Sequence, residues 1–334
     1  MANQYNQKLK LLFLLDDLLT NSDENNPIDA ETLIIHLKNK GIDSERKSIY
    51  RDISILKEYG YDILKMRSPK SGYYIGNRDF QLAEVRLLCD AVQAANFISQ
   101  KKTKELLTKI YGLVSKSQAE QIKNQVYVDN RPKCANESLY YTIDKLDRAI
   151  QNNRQVKIVY RKRKIADSNK ASYEEKTHYI SPYALIWSND HYYLVGNNRN
   201  HSNLMVSRID RIKSVEILEN TPSISFADVS EYKTYFDSAD YANKHFSMFA
   251  GELENVELIC DNEIIEQILD RFGDSTSILK CGETKFKINI NVAVSEGLVS
   301  WIMQYGDAIK VNSPDSLKKM VVDRAQSIIS TYKF

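Results

Sequence analysis

Apolar residues recur at helical spacing near the start of the chain. The pattern predicts two helices, over residues 6–20 and 30–40. Asp29 is placed to cap the second helix and Gly41 to end it, because an aspartate side chain accepts backbone N–H bonds and glycine adopts the left-handed conformation. The predicted inward residues are Leu9, Leu12, Phe13 and Leu19 on the first helix and Leu33, Ile34 and Leu37 on the second.

A third helix is predicted between Ser44 and Gly60. Its apolar side comprises Ile49, Ile53 and Leu56, and polar residues occupy the opposite side. Two apolar runs, 61–66 and 73–75, follow it and flank a polar turn, which predicts a short β-hairpin. Three helices followed by a hairpin is the plan of a winged helix-turn-helix domain.

Positive charge is concentrated on the third helix and the hairpin. Residues 44–78 contain eight basic and four acidic residues, a net charge of +4, whereas residues 1–40 contain four basic and six acidic residues, a net charge of −2. Arg and Lys bind guanine edges and phosphates, and hydroxyl groups bind phosphates, so the polar side of the helix is suited to a DNA major groove. An ordinary solvated helix face is the alternative, and the order of the surrounding elements disfavours it. The predicted DNA contacts are Ser44, Arg46, Lys47, Ser48, Tyr50, Arg51, Ser54, Arg67 and Lys70.

The sequence KSIYRDISILKEYGYDI and the later SGYYI resemble the DeoR-type winged helix. The pattern of that family is roughly T-[IV]-x-R-D-[IL]-x-x-L-x-x-x-G followed by G-Y-x-[IL], and Ser48 replaces its threonine. The resemblance implies binding to a double-stranded DNA operator. Asp52 lies beside the buried stripe, so we interpret it as a structural partner of a nearby donor.

Residues 79–134 are predicted to form two or three connecting helices. Leu82, Val85, Leu88 and Val92 repeat at helical spacing in the first of them. Surplus apolar stripes on a connector pack either on a partner chain, giving a homodimer, or within the same chain.

After residue 135 the pattern changes to one helix, 139–152, followed by short β-strands. Turn signals separate the strands, and short strands at this spacing predict a small β-barrel of the Sm or SH3 type. The predicted strands are 156–160, 177–186, 191–195, 204–209 and 215–218.

This segment resembles the WYL domain through V-x-I-V-Y, H-Y-I-S-P-Y-A-L, H-Y-Y-L-V-G and S-R-I-D-R-I. The triplet that names the family is Tyr192-Tyr193-Leu194 here, and His178 stands where the family often has arginine. The resemblance implies that the domain senses a nucleotide or a single-stranded oligonucleotide. Arginine forks bind phosphates and aromatic rings stack on bases, which suits such a ligand. The residues assigned to the ligand are Tyr160, Arg161, His178, Tyr183, Arg208 and Arg211.

Arg208 lies mid-strand on a face with Leu204 and Val206, so its charge requires a partner, either a carboxylate or an anionic ligand.

Residues 221–252 form an aromatic-rich linker, and residues 253–334 show the order βαββαβ with a final helix. This order resembles a ferredoxin-like split βαβ unit, and WYL regulators often carry such an extension. We expect it to pair protomers and to close over the ligand groove, with independent packing as the alternative. The predicted fold class is therefore α+β, with five segments: 1–78, 79–134, 135–220, 221–252 and 253–334.

Composition narrows the function further. The 334 residues carry a net charge of +2, so any basic surface is local. We expect a cytoplasmic protein with no membrane span, because apolar runs are short and a signal-peptide pattern is absent. The four cysteines are widely spaced, which favours reduced thiols over disulfides or a zinc site.

Phosphate-loop, dinucleotide-binding, zincin and nucleophile-elbow motifs are absent from the sequence, so we expect no enzyme activity, catalytic residue, metal or cofactor. A metal-dependent nuclease remains the alternative from another class, although the acidic residues near the barrel show no paired motif. A structural module that uses its winged helix only for protein contacts is a second alternative.

Overall fold

The computed structural model describes residues 2–125, 133, 138–165, 171–201 and 203–332. The chain divides into two compact units, Met1–Glu137 and Ser138–Phe334. Helices and antiparallel sheets occur in both, so the predicted α+β class is confirmed. The predicted end of the connector at residue 134, including Cys134, lies outside the described residues.

The first unit begins with three helices and a two-stranded antiparallel hairpin. Asp29 caps the second helix as predicted, since its side chain accepts a hydrogen bond from the Thr32 amide at 2.7 Å. An isolated bridge between Ile28 and Tyr73 ties the hairpin to the segment before that helix. The elements are α1 (Ala2–Asn21), α2 (Ala30–Asn39), α3 (Arg46–Tyr59), β1 (Ile63–Met66) and β2 (Gly72–Ile75).

The predicted buried stripe of α1 is wrong in part. Leu12 is 62% exposed, whereas Leu14, Leu18 and the charged Lys10 are almost fully buried. Hydrophobicity alone places a lysine outside, but an ion pair with Asp52 of α3 compensates for the burial of Lys10. The inward face of α1 is therefore rotated from the predicted one.

Among the described residues of the first unit, three connecting helices follow the hairpin, at the upper limit of the prediction. Val85 of the predicted stripe is buried, but Leu88 is exposed, and its neighbour Cys89, which was not in that stripe, is buried instead. The Ser115 hydroxyl and the Asp23 carboxylate are both buried and form a hydrogen bond of 2.5 Å between the connector and the turn after α1. The helices are α4 (Leu82–Ala94), α5 (Gln100–Tyr111) and α6 (Lys116–Gln125).

The second unit starts with α7 (Leu139–Gln151) and a five-stranded antiparallel sheet. The sheet has the order β6-β5-β4-β3-β7, so two strands that are consecutive in sequence lie at opposite edges. The strands are β3 (Arg154–Ile165), β4 (Ala171–Ser188), β5 (His191–Asn198), β6 (Leu204–Arg208) and β7 (Ile212–Pro222).

A single turn of 3-10 helix, Ile209–Arg211, joins these two edge strands. In a flat sheet the edges would be roughly 19 Å apart, since strands are spaced about 4.8 Å. The chain from Arg208 to Ile212 spans at most about 14 Å. The sheet must therefore be strongly curved, and the turn contacts both β5 and β3.

The β3–β4 hairpin extends beyond the rest of the sheet. These two strands pair from Val156↔Ile180 out to Ile165↔Ala171. Strand β7 pairs with β3 only as far as Tyr160, and β5 pairs with β4 only from Ile180 onward. Residues 161–165 and 171–175 thus form a two-stranded arm.

The segment after the sheet is packed rather than extended, with α8 (Phe226–Val229), α9 (Ser238–Lys244) and a 3-10 turn, Phe246–Met248. Tyr241 and Met248 from this segment are buried against the sheet, in one cluster with Ile186, Tyr193 and Val195.

The C-terminal part has a four-stranded antiparallel sheet in the order β11-β8-β10-β9. Its buried apolar side chains form one core with those of the neighbouring helices. The elements are β8 (Glu252–Asp261), α10 (Ile265–Phe272), β9 (Ile278–Lys280), β10 (Lys285–Val294), α11 (Glu296–Gln304), β11 (Ile309–Ser313) and α12 (Asp315–Tyr332).

Candidate nucleic-acid and anion sites

The exposed side of α3 carries two cations near its beginning. Lys47 and Arg51 lie one turn apart, both exposed, and neither has an acidic partner within 4 Å in the described part of the chain. Ile49, Ile53 and Leu56 are buried on the opposite side, as predicted. This burial fixes the rotation of the helix, so both cations face solvent.

Arg46 and Tyr50 are held together on the flank of α3. The Arg46 Nε donates to the Tyr50 hydroxyl at 2.7 Å, and Nη1 lies 3.7 Å from the Glu31 carboxylate. The hydrogen bond to Tyr50 raises the pKa of Arg46. The Tyr50 ring packs 6.2 Å from that of Tyr73 on β2, which links the helix to the hairpin.

Three serines were predicted to contact DNA, and the structure places them differently. Ser54 is exposed, and its hydroxyl donates to the Tyr50 carbonyl at 3.1 Å. Ser48 is half-buried and accepts a hydrogen bond from the Lys10 ammonium. The Ser44 hydroxyl is buried and has no hydrogen-bond partner among the described residues, and Glu45 takes the cap position without a side-chain bond.

Asp52 is the structural partner that the sequence indicated. Its Oδ2 lies 2.8 Å from the Nζ of Lys10, and both side chains are at most one-tenth exposed. The sequence identified the acid but missed the lysine, which no local spacing connects to α3. The ion pair links the buried side of α3 to α1.

Arg67 and Lys70 are exposed in the turn between β1 and β2. Lys65 on β1 lies with its ammonium 5.6 Å from the centre of the Tyr73 ring. The hairpin therefore adds positive charge next to the exposed side of α3.

In the second unit, Arg208 is already paired. Its Nε and Nη2 donate to the two carboxylate oxygens of Asp210 at 3.0 and 2.8 Å. Of the two partners that the sequence allowed, the structure supplies the carboxylate. Burial tends to raise the pKa of Asp210, but the hydrogen bonds and charge of Arg208 exceed this effect and leave it below its ordinary value.

Aromatic rings surround this pair. Tyr193 lies opposite Arg208 in the β5–β6 register, and Tyr160 is within electrostatic range of both. Burial raises the pKa of Tyr193, so its hydroxyl stays protonated. His178 packs edge-on against Tyr160, with ring centres 6.5 Å apart. Arg211 is exposed beside them.

Two residues predicted for this site make their contacts elsewhere. Arg161 donates to Glu175 at 2.9 Å and lies over the Tyr173 ring, on the arm. Tyr183 packs against Phe226 and Phe236, and burial raises its pKa to about 12. The structure therefore brings together four of the predicted residues and adds two that were not assigned to the ligand. The cluster comprises Tyr160, His178, Arg208 and Arg211, with Tyr193 and Asp210; we name it the Arg208 cluster.

Within the described residues, no group of three or more His, Cys, Asp or Glu side chains is arranged to hold a metal ion. The helices described are also too short or too polar for any of them to cross a bilayer.

Comparison with known proteins agrees with the resemblance in the second unit. Residues 141–217 match the WYL domain and residues 252–329 match the WCX domain. No curated protein matches the chain significantly. The DeoR-type resemblance lies outside both matched segments and stays a prediction.

One solved structure with similarity is proteasome accessory factor B/C (PafBC) of Arthrobacter aurescens, at 19% identity and a TM-score of 0.28. The alignment covers 96% of this chain but 46% of that one, so this chain spans about half the length of its structural neighbour. The chain therefore contains a segment that matches the WYL domain, followed by one that matches the WCX domain.

Proposed function

We propose that the chain is a DNA-binding transcriptional regulator that responds to a ligand. Residues 1–78 act as a winged helix-turn-helix domain on a double-stranded operator. The curved sheet of the WYL domain is a small barrel that senses the ligand, and the C-terminal sheet, whose strand order is that of a ferredoxin-like unit, pairs two protomers. The proposal assigns the chain no enzymatic activity, cofactor or metal.

The observation that carries the proposal is the pair of unpaired cations on α3. Lys47 and Arg51 lie in the first half of the helix, and the early residues of a recognition helix contact base edges in helix-turn-helix proteins. Arg67 and Lys70 on the hairpin are suited to the phosphate backbone beside the groove. A face used only for solvation requires no such alignment of helix and hairpin charges.

The test replaces Lys47 and Arg51 with alanine in the full chain. Genomic fragments bound by the unaltered protein are first selected, and affinity is then measured at several salt concentrations. The double variant should bind at least about a hundredfold more weakly, and the salt dependence of its affinity should fall, because fewer counterions are released.

Lys57→Ala is the matched control for Lys47→Ala. Lys57 is exposed on the same helix, but it lies near the C-terminal end and on the flank. Its replacement should change the affinity by less than about threefold. Equal losses for Lys47→Ala and Lys57→Ala would mean that α3 contributes only general charge, and an unchanged affinity for the double variant would refute the assignment.

We further propose that the Arg208 cluster binds the phosphate of a nucleotide or single-stranded oligonucleotide. Asp210 uses two N–H groups of Arg208, and the remaining donors of the guanidinium, with exposed Arg211, are free for phosphate oxygens. Tyr160 and His178 offer ring faces for a base. Arg211→Ala should weaken the effect of added oligonucleotide on operator binding and leave ligand-free operator binding intact; an unchanged effect would place the ligand elsewhere.

A further inference from the structure

A cavity of about 320 Å³ lies in the second unit and shares no lining residue with the Arg208 cluster. Its walls come from three places in the sequence: the β4–β5 turn, the segment that joins α9 to the following 3-10 turn, and helices α10 and α11. Phe246, His245 and Gly297 form buried walls, and exposed residues such as Ser300 and Gln304 line its mouth. A volume of this size suits a small organic molecule.

Arg271 provides the only formal charge among the residues that line the cavity, apart from the titratable His245. The guanidinium is partly buried and no acid within the described residues forms an ion pair with it; its one hydrogen bond is from Nη2 to the Asn243 carbonyl at 3.2 Å. Burial lowers the pKa of Arg271, and no carboxylate offsets that effect. Burying a charge without a counterion is unfavourable, so an anionic ligand would stabilise the guanidinium.

His245 does not supply a second positive charge. Burial lowers the pKa of its imidazole, and Nδ1 lies 2.8 Å from the Tyr241 carbonyl. The imidazole is therefore neutral near pH 7 and contributes a polar but uncharged wall. The cavity thus combines one cation with neutral surroundings.

Aromatic rings form the apolar part of the wall. The rings of Phe246 and Trp301 are 5.1 Å apart, and the Arg271 guanidinium lies 4.3 Å from the centre of the Phe246 ring. Stacking on a ring holds a guanidinium plane in place and leaves its edge free for a bidentate partner. The flat indole of Trp301 offers a surface for a planar ligand.

The walls are held in place by backbone contacts. A Cβ atom on Gly297 would lie 2.2 Å from the Phe246 carbonyl oxygen, so α11 packs directly on the opposite wall. Asn189 and Ser247 both have positive φ, 47° and 50°, a backbone conformation that residues other than glycine rarely adopt. The contact between Gly297 and Phe246 therefore holds these two walls together without a ligand, which lowers the cost of ordering them on binding.

We propose that this cavity binds a small planar molecule that carries an oxyanion, with the oxyanion on Arg271 and the ring against Trp301. The proposal does not depend on operator binding or on the Arg208 cluster, so it can fail without affecting the proposed function. Carboxylates and phosphates share the bidentate geometry that a guanidinium edge recognises, and the experiment distinguishes them.

The test uses the fluorescence of Trp301 in the full chain. The chain has two tryptophans, so Trp187→Phe leaves Trp301 as the only reporter. Benzoate, phenyl phosphate, the neutral analogue benzamide and inorganic phosphate are titrated separately. We expect saturable changes with benzoate or phenyl phosphate, and the tighter of the two identifies the oxyanion. Benzamide, which lacks the charge, should bind at least about tenfold more weakly than benzoate. Inorganic phosphate, which lacks the ring, should bind at least about tenfold more weakly than phenyl phosphate.

Arg271→Gln should weaken binding at least about tenfold, because the charged fork is lost. Arg324→Gln is the matched control, since Arg324 is an exposed arginine of the same domain that pairs with Glu296, and it should leave binding unchanged. Ser300→Phe narrows the mouth from an exposed helix position and should block binding even if Arg271→Gln does not fold.

Three results would overturn the proposal: no saturable change with either aromatic anion, equal binding of benzoate and benzamide, or equal effects of Arg271→Gln and Arg324→Gln.

Discussion

Lys10 shows that a charged residue of this chain can belong to the core. Its side chain is 2% exposed, and its ammonium lies between Asp52 and Ser48 of α3. A buried ion pair adds little net stability, because desolvation offsets the attraction, but loss of one partner leaves an uncompensated charge. The pair therefore fixes where α3 sits on α1.

Lys10→Met should destabilise the first unit by about 3–5 kcal/mol, because Asp52 stays buried without its partner. Lys10→Met combined with Asp52→Leu should recover most of that loss. Urea unfolding followed by far-UV circular dichroism measures both, since the first unit is rich in helix. Lys318→Met, at the exposed pair with Asp315, is the control and should cost less than about 1 kcal/mol. A small effect of Lys10→Met alone would contradict the buried pair.

Asp210 gives a pH-dependent contribution to stability. Because its pKa in the folded chain is lowered, the contribution is fully present above the ordinary value of 3.8 and is lost as the pH falls through the lowered pKa. Asp210→Asn should therefore destabilise the second unit by about 1–2 kcal/mol at pH 7. The difference from the unaltered chain should shrink below pH 3.8, as measured by urea unfolding with tryptophan fluorescence. A difference that stays constant over this range would contradict the ion pair.

At the scale of single residues, the sequence predicted the features that depend on the local pattern of apolar and polar positions. The buried stripe of α3 and the exposed Lys47 and Arg51 follow from helical periodicity. The partners of Lys10, Arg161 and Tyr183 do not, because each contact joins residues that the fold brings together from distant positions. Asp210 is the exception: it is two residues from Arg208, and its carboxylate was one of the partners that the sequence allowed.

Among the elements, α11 depends on a glycine. Gly297 lies in its first turn, and the Phe246 carbonyl occupies the space where a side chain would begin. Alanine favours a helix over glycine by about 1 kcal/mol, but a clash with backbone cannot be relieved by a change of rotamer. Packing therefore outweighs helix propensity at this position.

Gly297→Ala should destabilise the second unit by about 2 kcal/mol or more, which unfolding monitored by Trp301 fluorescence will measure. Gly112→Ala is the control. Its Cβ would lie 3.2 Å from the Lys109 carbonyl oxygen with a helical φ of −69°, so its effect should stay within about 1 kcal/mol. A stabilising Gly297→Ala would show that α11 can move away from Phe246.

Most elements could be predicted from the sequence, because periodicity of apolar residues and turn signals are local. The strands proved longer than their apolar runs: β3 continues into residues 161–165 and β4 begins at residue 171 rather than 177, and charged pairs replace apolar alternation in these extensions. Cross-strand ion pairs such as Lys164–Glu174 stabilise this part, and no single strand reveals them. The order of the strands in the five-stranded sheet was likewise not readable from their spacing.

For the whole molecule, the proposed function requires two recognition helices. Half-sites on one face of DNA lie about 34 Å apart, and a dimer that matches this spacing binds both at once. A ligand that alters the distance between the two recognition helices would prevent them from binding both half-sites at once.

Sedimentation should give a mass of two chains, and DNA with two half-sites should bind at least about tenfold more tightly than DNA with one. The same DNA with the half-sites moved by half a helical turn is the control and should lose that gain. A monomer that binds one half-site as tightly as two would rule out the dimer.

In the β3–β4 arm each strand pairs only with the other, whereas residues 156–160 of β3 lie between β4 and β7 and pair with both. Hydrogen exchange should therefore be faster along residues 161–165 than along residues 156–160 of the same strand. Bending the arm breaks no pairing in the curved sheet. A molecule that binds the arm can therefore move it while the curved sheet, which carries the proposed ligand site, keeps its shape.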